Sequence, residues 1–292
     1  MSQPNTDIQN HAVRGRSTDD VISGANVHRD GYSENTEPST NPKSIQTAIS
    51  DSSNTPKQAV LPITHFTEPT TTYWQTILPS NHIPQNPPYK YGFPAKLPDS
   101  RFLVLPIRPL KDNPKHAVAS LLVNQASIEV VDVLSDFLAD LVRRFEPDVI
   151  IGLPTLGLSL APLVARNLGL KRYIPLGYSR KFWYDEALSA SVSSITSPEL
   201  GLKKVYLDPH QLPLVLGKRC VIIDDAVSSG ATLKTTWDLL EKIGCDIVAC
   251  GAVMKQGNKW EQKIGQERVD RLVYVFESPL LEAVDGGWAL RS

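Results

Sequence analysis

Residues 219–232 read RCVIIDDAVSSGAT and contain a predicted strand, an acidic pair and the start of a predicted helix. The β-branched run 221–223 is typical of a buried strand, and the small residues after the pair predict a turn into a helix that ends near Gly244. Asp224 and Asp225 are predicted where strand becomes loop. Adjacent carboxylates repel, so a protein retains them at a strand end when they accept hydrogen bonds from hydroxyls or face a cation. The pattern therefore predicts a ligand site.

The segment 228–232, Ser-Ser-Gly-Ala-Thr, is predicted to bind an anion. It offers small residues, hydroxyls, backbone N–H groups and the N-terminus of the next helix, which together attract negative charge. It lacks the Gly-Lys-Ser/Thr ending of a P-loop, which favours a sugar monophosphate over a nucleoside triphosphate. A solvated acidic turn followed by an ordinary Ser/Thr helix cap remains the alternative.

The surrounding sequence alternates predicted strands and helices. Apolar residues at three- and four-residue spacing predict a helix over 128–145, which Pro147 ends. The other predicted elements are strands at 148–151, 173–176, 219–223, 247–254 and 272–276, a turn at 152–157 and a helix from there through Leu168. This order indicates an α/β fold with a mostly parallel sheet flanked by helices. Ligands bind at the carboxyl ends of strands in such sheets.

The chain is predicted to have three parts. Residues 1–60 are rich in Ser, Thr, Asn, Gln and Pro and hold one aromatic residue, Tyr32, so we expect a disordered polar tail, with a regulatory role as the alternative. Residues 61–115 are dense in proline and aromatic residues and are expected to form an irregular wrap and hood segment. Residues 116–292 are expected to form the main domain.

Composition excludes several classes of protein. The 292 residues include 30 Lys+Arg and 31 Asp+Glu, and the formal net charge of -1 argues against a nucleic-acid binder. The 3 cysteines form no CxxC pair and are expected to be buried, inert thiols in a reducing compartment. No apolar run is long enough for a membrane span and no signal-peptide pattern is present. We therefore expect a soluble, cytoplasmic protein.

The segment from Cys220 to Thr232 resembles the phosphoribosyl-pyrophosphate signature of type I phosphoribosyltransferases, and the likeness is greatest to the adenine and xanthine (purine) enzymes. It extends over roughly Tyr91 to Phe276. Phe93-Pro94 and 105–114 are similar to the family's N-terminal hood, and Gly152 to Gly157 is similar to its pyrophosphate loop. Arg180-Lys181 is similar to the opening of the family's mobile loop. Pro198-Glu199-Leu200-Gly201 is similar to the segment with the closing acid of that loop.

The resemblance implies a purine phosphoribosyltransferase of the nucleotide-salvage type that uses phosphoribosyl pyrophosphate and a purine base. Mg²⁺ is implied as cofactor, held mainly by the substrate, with Asp224 and Asp225 as candidate protein ligands. The residues expected to act in the reaction are Asp224, Asp225, Lys181 and Glu199, and those expected to bind substrate are Thr155, Leu156, Gly157, Arg180, Ala226, Val227, Ser228, Ser229, Gly230, Ala231, Thr232 and Lys255. A homodimer is expected, with no nucleic-acid or membrane partner.

The resemblance assigns a role to each part of the site. Asp224 and Asp225 hold the ribose hydroxyls, 228–232 hold the 5-phosphate, and Lys181 with the backbone of 155–157 faces the pyrophosphate. An oxocarbenium-like sugar reacts with water, so a lid is required, and we expect it within the polar stretch 179–211, part of which is expected to form a hairpin. Trp183 and Tyr184 are expected to seal the site.

The chain also departs from the adenine enzymes. Leu156 replaces a frequent arginine of the pyrophosphate loop, Ala231 replaces a frequent glycine and Leu200 replaces a tyrosine. The segment 254–258 does not match the adenine enzymes' base-proximal acid well, and Lys255 in it, if it faced the purine, would favour 6-oxopurines over adenine. A solvated Lys255 is the alternative. A non-catalytic phosphoribosyl-pyrophosphate sensor that regulates a partner remains the alternative function.

Overall fold

Strands and helices extend from Ile77 to Leu290 in a computed structural model, which describes residues 72–82, 86–192 and 203–291. The elements are β1 (Ile77–Leu78), β2 (Gly92–Lys96), β3 (Phe102–Pro109), β4 (His116–Ala119), α1 (Ile128–Arg143), β5 (Val149–Gly152), α2 (Gly157–Asn167), β6 (Ile174–Pro175), β7 (Ser189–Val192), β8 (Lys203–Tyr206), β9 (Arg219–Val227), α3 (Ala231–Lys242), β10 (Asp246–Gln256), α4 (Lys259–Ile264), α5 (Gln266–Val269), β11 (Leu272–Ser278), β12 (Leu280–Val284) and β13 (Gly287–Leu290).

A five-stranded sheet with all neighbours parallel, in the order β11-β10-β9-β5-β6, forms the centre of the fold. Its middle strand β9 is buried on both faces, as its β-branched sequence indicates. Val221 and Ile223 face one apolar cluster, whereas Cys220 and Ile222 face the other, and all four are fully buried. The prediction of an α/β fold with a parallel sheet is confirmed for this part of the chain.

Helices cover both faces of the parallel sheet. One cluster receives the apolar faces of α1 and α2, and the other receives that of α3, whose Trp237 is fully buried. Helix α1 begins where Ser127 accepts a hydrogen bond from the backbone N–H of Val130 at 3.2 Å, which satisfies one free donor of the first turn. Gly169, at φ +78°, follows α2 as the predicted stop.

Strand β9 is longer than the sequence indicates. Asp224 and Asp225 lie inside it rather than in a loop, because β10 continues alongside and pairs Ala252 with Asp224 and Met254 with Ala226. On the other side, β5 ends at Gly152, which pairs with Ile223. The edge of β9 that faces β5 is therefore open from Asp224 onward, and this opening gives ligands access to both carboxylates without unwinding the strand.

A second sheet is antiparallel, in the order β1-β3-β4-β12-β13, with β2 paired to β3. The sequence predicts an irregular wrap over 61–115 and no strand after 276, whereas the structure has β1, β2 and β3 within the first range and β12 and β13 after the second position. The difference within 61–115 arises because proline is rare inside paired strands, so a proline-rich segment does not show a strand pattern. Pro94 lies in β2, which pairs with one strand only, and Pro109 lies at the end of β3, positions where a missing N–H breaks no ladder between two neighbours.

The segment predicted as a lid, 179–211, contains the antiparallel pair β7–β8, which confirms a hairpin there. An isolated bridge between Gly177 and Tyr206 ties this hairpin to the segment after β6. Residues 193–202, which include Glu199 and Leu200, lie outside the described residues, as does the predicted tail 1–60. The tail and the lid function therefore stay predictions.

Candidate active site

A cavity of about 660 Å³ lies at the carboxyl ends of β5, β9 and β10. Its lining consists of 118–122, 154–156 and 224–233 together with Arg108, Tyr178, Lys203, Met254 and Gln256. Most of the predicted binding residues therefore meet in one place, where parallel sheets bind their ligands. The second sheet supplies a further wall through β3 and β4, which carry Arg108 and Ala119.

Asp224 and Asp225 form a half-buried acidic pair in this cavity. The backbone N–H of Asp225 donates to Oδ1 of Asp224 at 2.9 Å. Burial raises the pKa of Asp224 well above its ordinary value, and the charge of Asp225 raises it further. Burial also raises the pKa of Asp225, to about 6. Ionising both carboxylates costs free energy unless a hydrogen-bond donor or a cation is bound, which is typical of carboxylates that bind a ligand.

The segment 228–232 turns from β9 into α3 within the cavity wall. Gly230 adopts φ +73°, and a Cβ there would lie 3.0 Å from Trp260, so both conformation and space require glycine. Ser229 accepts a hydrogen bond from the backbone N–H of Ala231 at 3.3 Å. Ala231 is the first residue of α3 and needs no positive φ, so alanine fits at this position.

The loop 154–157 lies beside the acidic pair. The peptide bond between Pro154 and Thr155 is cis, and Thr155 and Leu156 line the cavity. Gly157 is the first residue of α2. It does not line the cavity but lies beneath it. A Cβ on Gly157 would come within 2.4 Å of the carbonyl oxygen of Ile223 and 3.0 Å of Cα of Asp224. This glycine lets α2 approach β9 directly behind the carboxylates.

Besides Gly157, three predicted site residues of the described part of the chain do not line the cavity. Arg180 pairs with Glu186 at 3.1 Å, and the exposed Lys181 does not line the cavity. Lys255 also lies outside the lining, because successive residues of β10 point to opposite faces and it follows Met254. It pairs with Glu277 at 3.1 Å, which corrects the expectation that it faces the site. Glu199 lies outside the described residues.

The structure adds cavity residues that the sequence analysis missed as site residues. They are Arg108 from the predicted hood and Ser120, Tyr178, Lys203, Met254 and Gln256. Gln256 is 8% exposed, and its Nε2 donates to the carbonyl oxygen of Ala119 at 3.2 Å. Nε of Arg108 donates to Oγ of Ser120 at 2.7 Å. Alternate residues of a strand share a face, so Gln256 lies on the same face as Met254, and this periodicity identifies it from the sequence. No sequence pattern places Lys203 or Tyr178 in the cavity.

The family model described as "Phosphoribosyl transferase domain" matches residues 118–279, more than half of the chain. The chain belongs to this family. The match includes the acidic pair, both loops and the hairpin, and it excludes β1, β2, β3, β12 and β13. Membership accounts for the strand, acidic pair, loop and helix on which the sequence analysis rests.

Relatives of this family member include adenine phosphoribosyltransferases from Picosynechococcus sp., 33% identical over 36% of this chain and 56% of the relative, and from Nostoc punctiforme, 32% identical over 41% and 66%. The chain thus spans about half to two thirds of the length of these relatives. Among solved structures, the adenine phosphoribosyltransferase from Giardia lamblia in complex with 9-deazaadenine is 16% identical, covers 59% of this chain and 93% of its own, and has a TM-score of 0.48.

Within residues 72–82, 86–192 and 203–291, no group of three or more His, Cys, Asp or Glu side chains is arranged to hold a metal ion. Asp224 and Asp225 line the cavity with carboxylate oxygens, which are the ligands that Mg²⁺ prefers. In the same part of the chain, no helix is long and apolar enough to span a bilayer.

Proposed function

We propose that this protein transfers the 5-phosphoribosyl group from phosphoribosyl pyrophosphate to a purine base and releases a nucleoside monophosphate and pyrophosphate. One observation carries the proposal. A half-buried carboxylate pair, Asp224 and Asp225, lines one cavity together with the helix-start segment 228–232 and the loop 154–156. The substrate has groups that match these three parts, because a diol-bearing ring connects one phosphate to a pyrophosphate.

The 5-phosphate is assigned to 228–232. Backbone N–H groups at the start of α3 and the helix dipole favour an anion there, and Ser228 is exposed to the cavity. The ribose hydroxyls are assigned to Asp224 and Asp225, which accept hydrogen bonds when ionised. The pyrophosphate is assigned to the side of 154–156. These three contacts hold C1 of the sugar in one position relative to the base.

The reaction breaks the C1–O bond to pyrophosphate, which leaves with the electron pair, while a purine ring nitrogen forms the new C1–N bond and loses its proton. Positive charge develops on the sugar, and the anionic Asp224 and Asp225 stabilise it. Bound Mg²⁺ supplies charge neutralisation for the phosphate oxygens, and Asp224 and Asp225 are the residues that fit it. Walls formed by Leu121 and Leu122 exclude water from the base side.

The base is proposed to lie between β4 and the end of β10, where the lining is mostly apolar. Met254 and the buried Gln256 are at this end, and Gln256 offers an amide whose Nε2 is already directed to Ala119. The argument for a 6-oxopurine rested on Lys255, which faces away from the cavity. The relatives named as adenine enzymes favour adenine as the base to test first.

Family membership and these relatives favour a catalytic protein over the phosphoribosyl-pyrophosphate sensor. Met254 and Gln256 also line the cavity, and Gln256 contacts both Ala119 and Ser228, so a purine is proposed to lie against Met254 beside these contacts. A homodimer, a role in purine salvage and a cytoplasmic location accompany the proposal as expectations from the family resemblance and the composition.

The test is nucleotide formation from phosphoribosyl pyrophosphate, Mg²⁺ and each of adenine, hypoxanthine, guanine and xanthine, followed by chromatography of the products. We expect turnover with at least one purine. Asp224→Asn combined with Asp225→Asn should lower kcat/KM by at least about a hundredfold, because both carboxylates face the reacting sugar. Asp246→Asn, an exposed aspartate at the opposite end of β10, is the control and should leave kcat/KM unchanged. Wild-type turnover in the double variant would contradict the site assignment.

A further inference from the structure

Lys203 is a cation in the cavity wall, and none of the motifs that identify the family contains it. It is the first residue of β8 and pairs with Val192 across the hairpin. Its Nζ lies 5.5 Å from the centre of the Tyr178 ring, and both residues line the cavity. We propose that Lys203 binds the pyrophosphate group of the substrate and stabilises its negative charge as it leaves. This inference rests on the proposed function.

The order of strands places Lys203 on the pyrophosphate side. In the sheet order β10-β9-β5-β6, the segment 228–232 follows β9, while Met254 and Gln256 belong to β10 on one side of it. Tyr178 follows β6 on the other side, beyond β5 and its loop 154–156. Tyr178 and Lys203 therefore flank the carboxylate pair on the side of 154–156, away from the proposed base position.

The leaving pyrophosphate requires a positive charge on the side of the cavity formed by the loop 154–156. Leu156 gives the loop 154–156 an apolar side chain at the cavity, and the Arg180 guanidinium is paired with Glu186 instead of facing the cavity. Arg108, the other basic residue of the lining, lies on β3 of the antiparallel sheet and contacts Ser120 there. Lys203 is thus the basic side chain that the described residues offer next to the loop 154–156.

The surroundings of Lys203 are those of a residue that binds a ligand. Burial raises the pKa of the Tyr178 hydroxyl, and the charges of Asp224 and Asp225 raise it further, so the ring that Lys203 contacts lies close to both carboxylates. Within the described part of the chain Lys203 forms no ion pair. An ammonium held over an aromatic ring keeps its N–H donors available for phosphate oxygens.

A second role would also fit this position, because Lys203 can simply neutralise Asp224 and Asp225. The two roles differ in which ligand they affect. A pyrophosphate contact strengthens binding of phosphoribosyl pyrophosphate and not of ribose 5-phosphate, which lacks the leaving group. Neutralisation of the carboxylates alters the binding of both ligands, because both present ribose hydroxyls to Asp224 and Asp225.

The experiment is calorimetric titration of the full chain with phosphoribosyl pyrophosphate and with ribose 5-phosphate, each with Mg²⁺, for wild type, Lys203→Met and Lys204→Met. Lys204 is the matched control, because it is the next residue of the same strand and pairs with Glu186 at 2.7 Å outside the cavity lining. We expect Lys203→Met to raise Kd for phosphoribosyl pyrophosphate at least about tenfold and to leave Kd for ribose 5-phosphate within about twofold. Lys204→Met should change neither, and Lys203→Arg should restore most of the affinity.

Three possible results would overturn either the role of Lys203 or the proposed function. Unchanged affinity for phosphoribosyl pyrophosphate in Lys203→Met, with an unchanged Tm, would overturn the inference while leaving the proposed function in place. An equal loss for both ligands would also overturn it and would assign Lys203 to the carboxylate pair. Failure of the folded wild type to bind either ligand would instead overturn the proposed function itself.

Discussion

The acidic pair destabilises the ligand-free protein as pH rises. The pKa of Asp225 is raised to about 6 in the folded state, and that of Asp224 is raised as well, chiefly by burial. In the unfolded chain both return to the ordinary value of about 4. The folded state therefore holds these protons more tightly than the unfolded state. Stability is lost as pH rises from about 4 through about 6 and beyond, because the carboxylates ionise in a poorly solvated place.

The double variant Asp224→Asn, Asp225→Asn tests this cost. It should increase the free energy of unfolding at pH 8 by on the order of 1 kcal/mol, since it removes two charges from a half-buried site. The gain should largely vanish near pH 4, where the wild-type carboxylates are protonated. Urea unfolding at both pH values measures it. A gain of equal size at both pH values would show that the charges are not its cause.

Gly157 allows α2 to pack against β9 directly behind the acidic pair. Gly157→Ala should reduce the free energy of unfolding by about 1–3 kcal/mol, because its Cβ meets backbone atoms of Ile223 and Asp224 that have little room to move. Gly177→Ala is the control, since a Cβ there has no atom within 4 Å. Urea unfolding of both variants provides the measurement, and similar stabilities would contradict the close approach described here.

At the scale of residues, the sequence predicts what one continuous segment contains. Asp224, Asp225 and 228–232 could be identified because strand, carboxylates and helix start follow each other directly. Gln256 contacts Ala119, which is 137 positions away in the chain, and such a contact depends on how two sheets meet. Lys255 was assigned to the wrong face, because its direction depends on the register of β10, which single-sequence periodicity does not determine.

At the scale of elements, β12 and β13 complete the antiparallel sheet behind the cavity. Strand β12 pairs with β4, which supplies Val118 and Ala119 to the cavity wall. Leu281 of β12 is fully buried in a small cluster with Tyr89 and Ile107. These strands therefore support the wall on which the base is proposed to lie.

Leu281→Ala should cost about 2–4 kcal/mol in the free energy of unfolding, because it leaves a cavity in this cluster. Leu290→Ala is the matched control, because Leu290 of β13 is 53% exposed and its loss should cost less than about 0.5 kcal/mol. Chemical denaturation of both variants measures the difference. Equal costs would mean that β12 does not pack as described.

The long elements of the parallel sheet could be predicted, whereas the second sheet could not. Helix α1 has a regular apolar face and a capping serine, and β9 is a continuous β-branched run. By contrast, β1 has 2 residues and β2 includes Pro94, so neither shows alternation over a useful length. Their strand character comes from pairing with β3, which joins segments from different parts of the chain.

At the scale of the whole molecule, the described residues all belong to one unit that spans Gln58–Ser292. The composition of 1–60 predicts a polar tail that contributes no core. Deletion of Met1–Lys57 should therefore shift Tm by less than about 2 °C and change kcat/KM by less than about twofold. Thermal unfolding and a nucleotide-formation assay measure this. Loss of folding or activity after the deletion would contradict the predicted three-part organisation.

A crystal structure of the protein with phosphoribosyl pyrophosphate and Mg²⁺ would locate the bound substrate. The predicted result is a 5-phosphate at 228–232, ribose hydroxyls on Asp224 and Asp225, and pyrophosphate between 154–156 and Lys203. Density for the ligand outside this cavity, or a sugar phosphate bound away from the start of α3, would contradict the account.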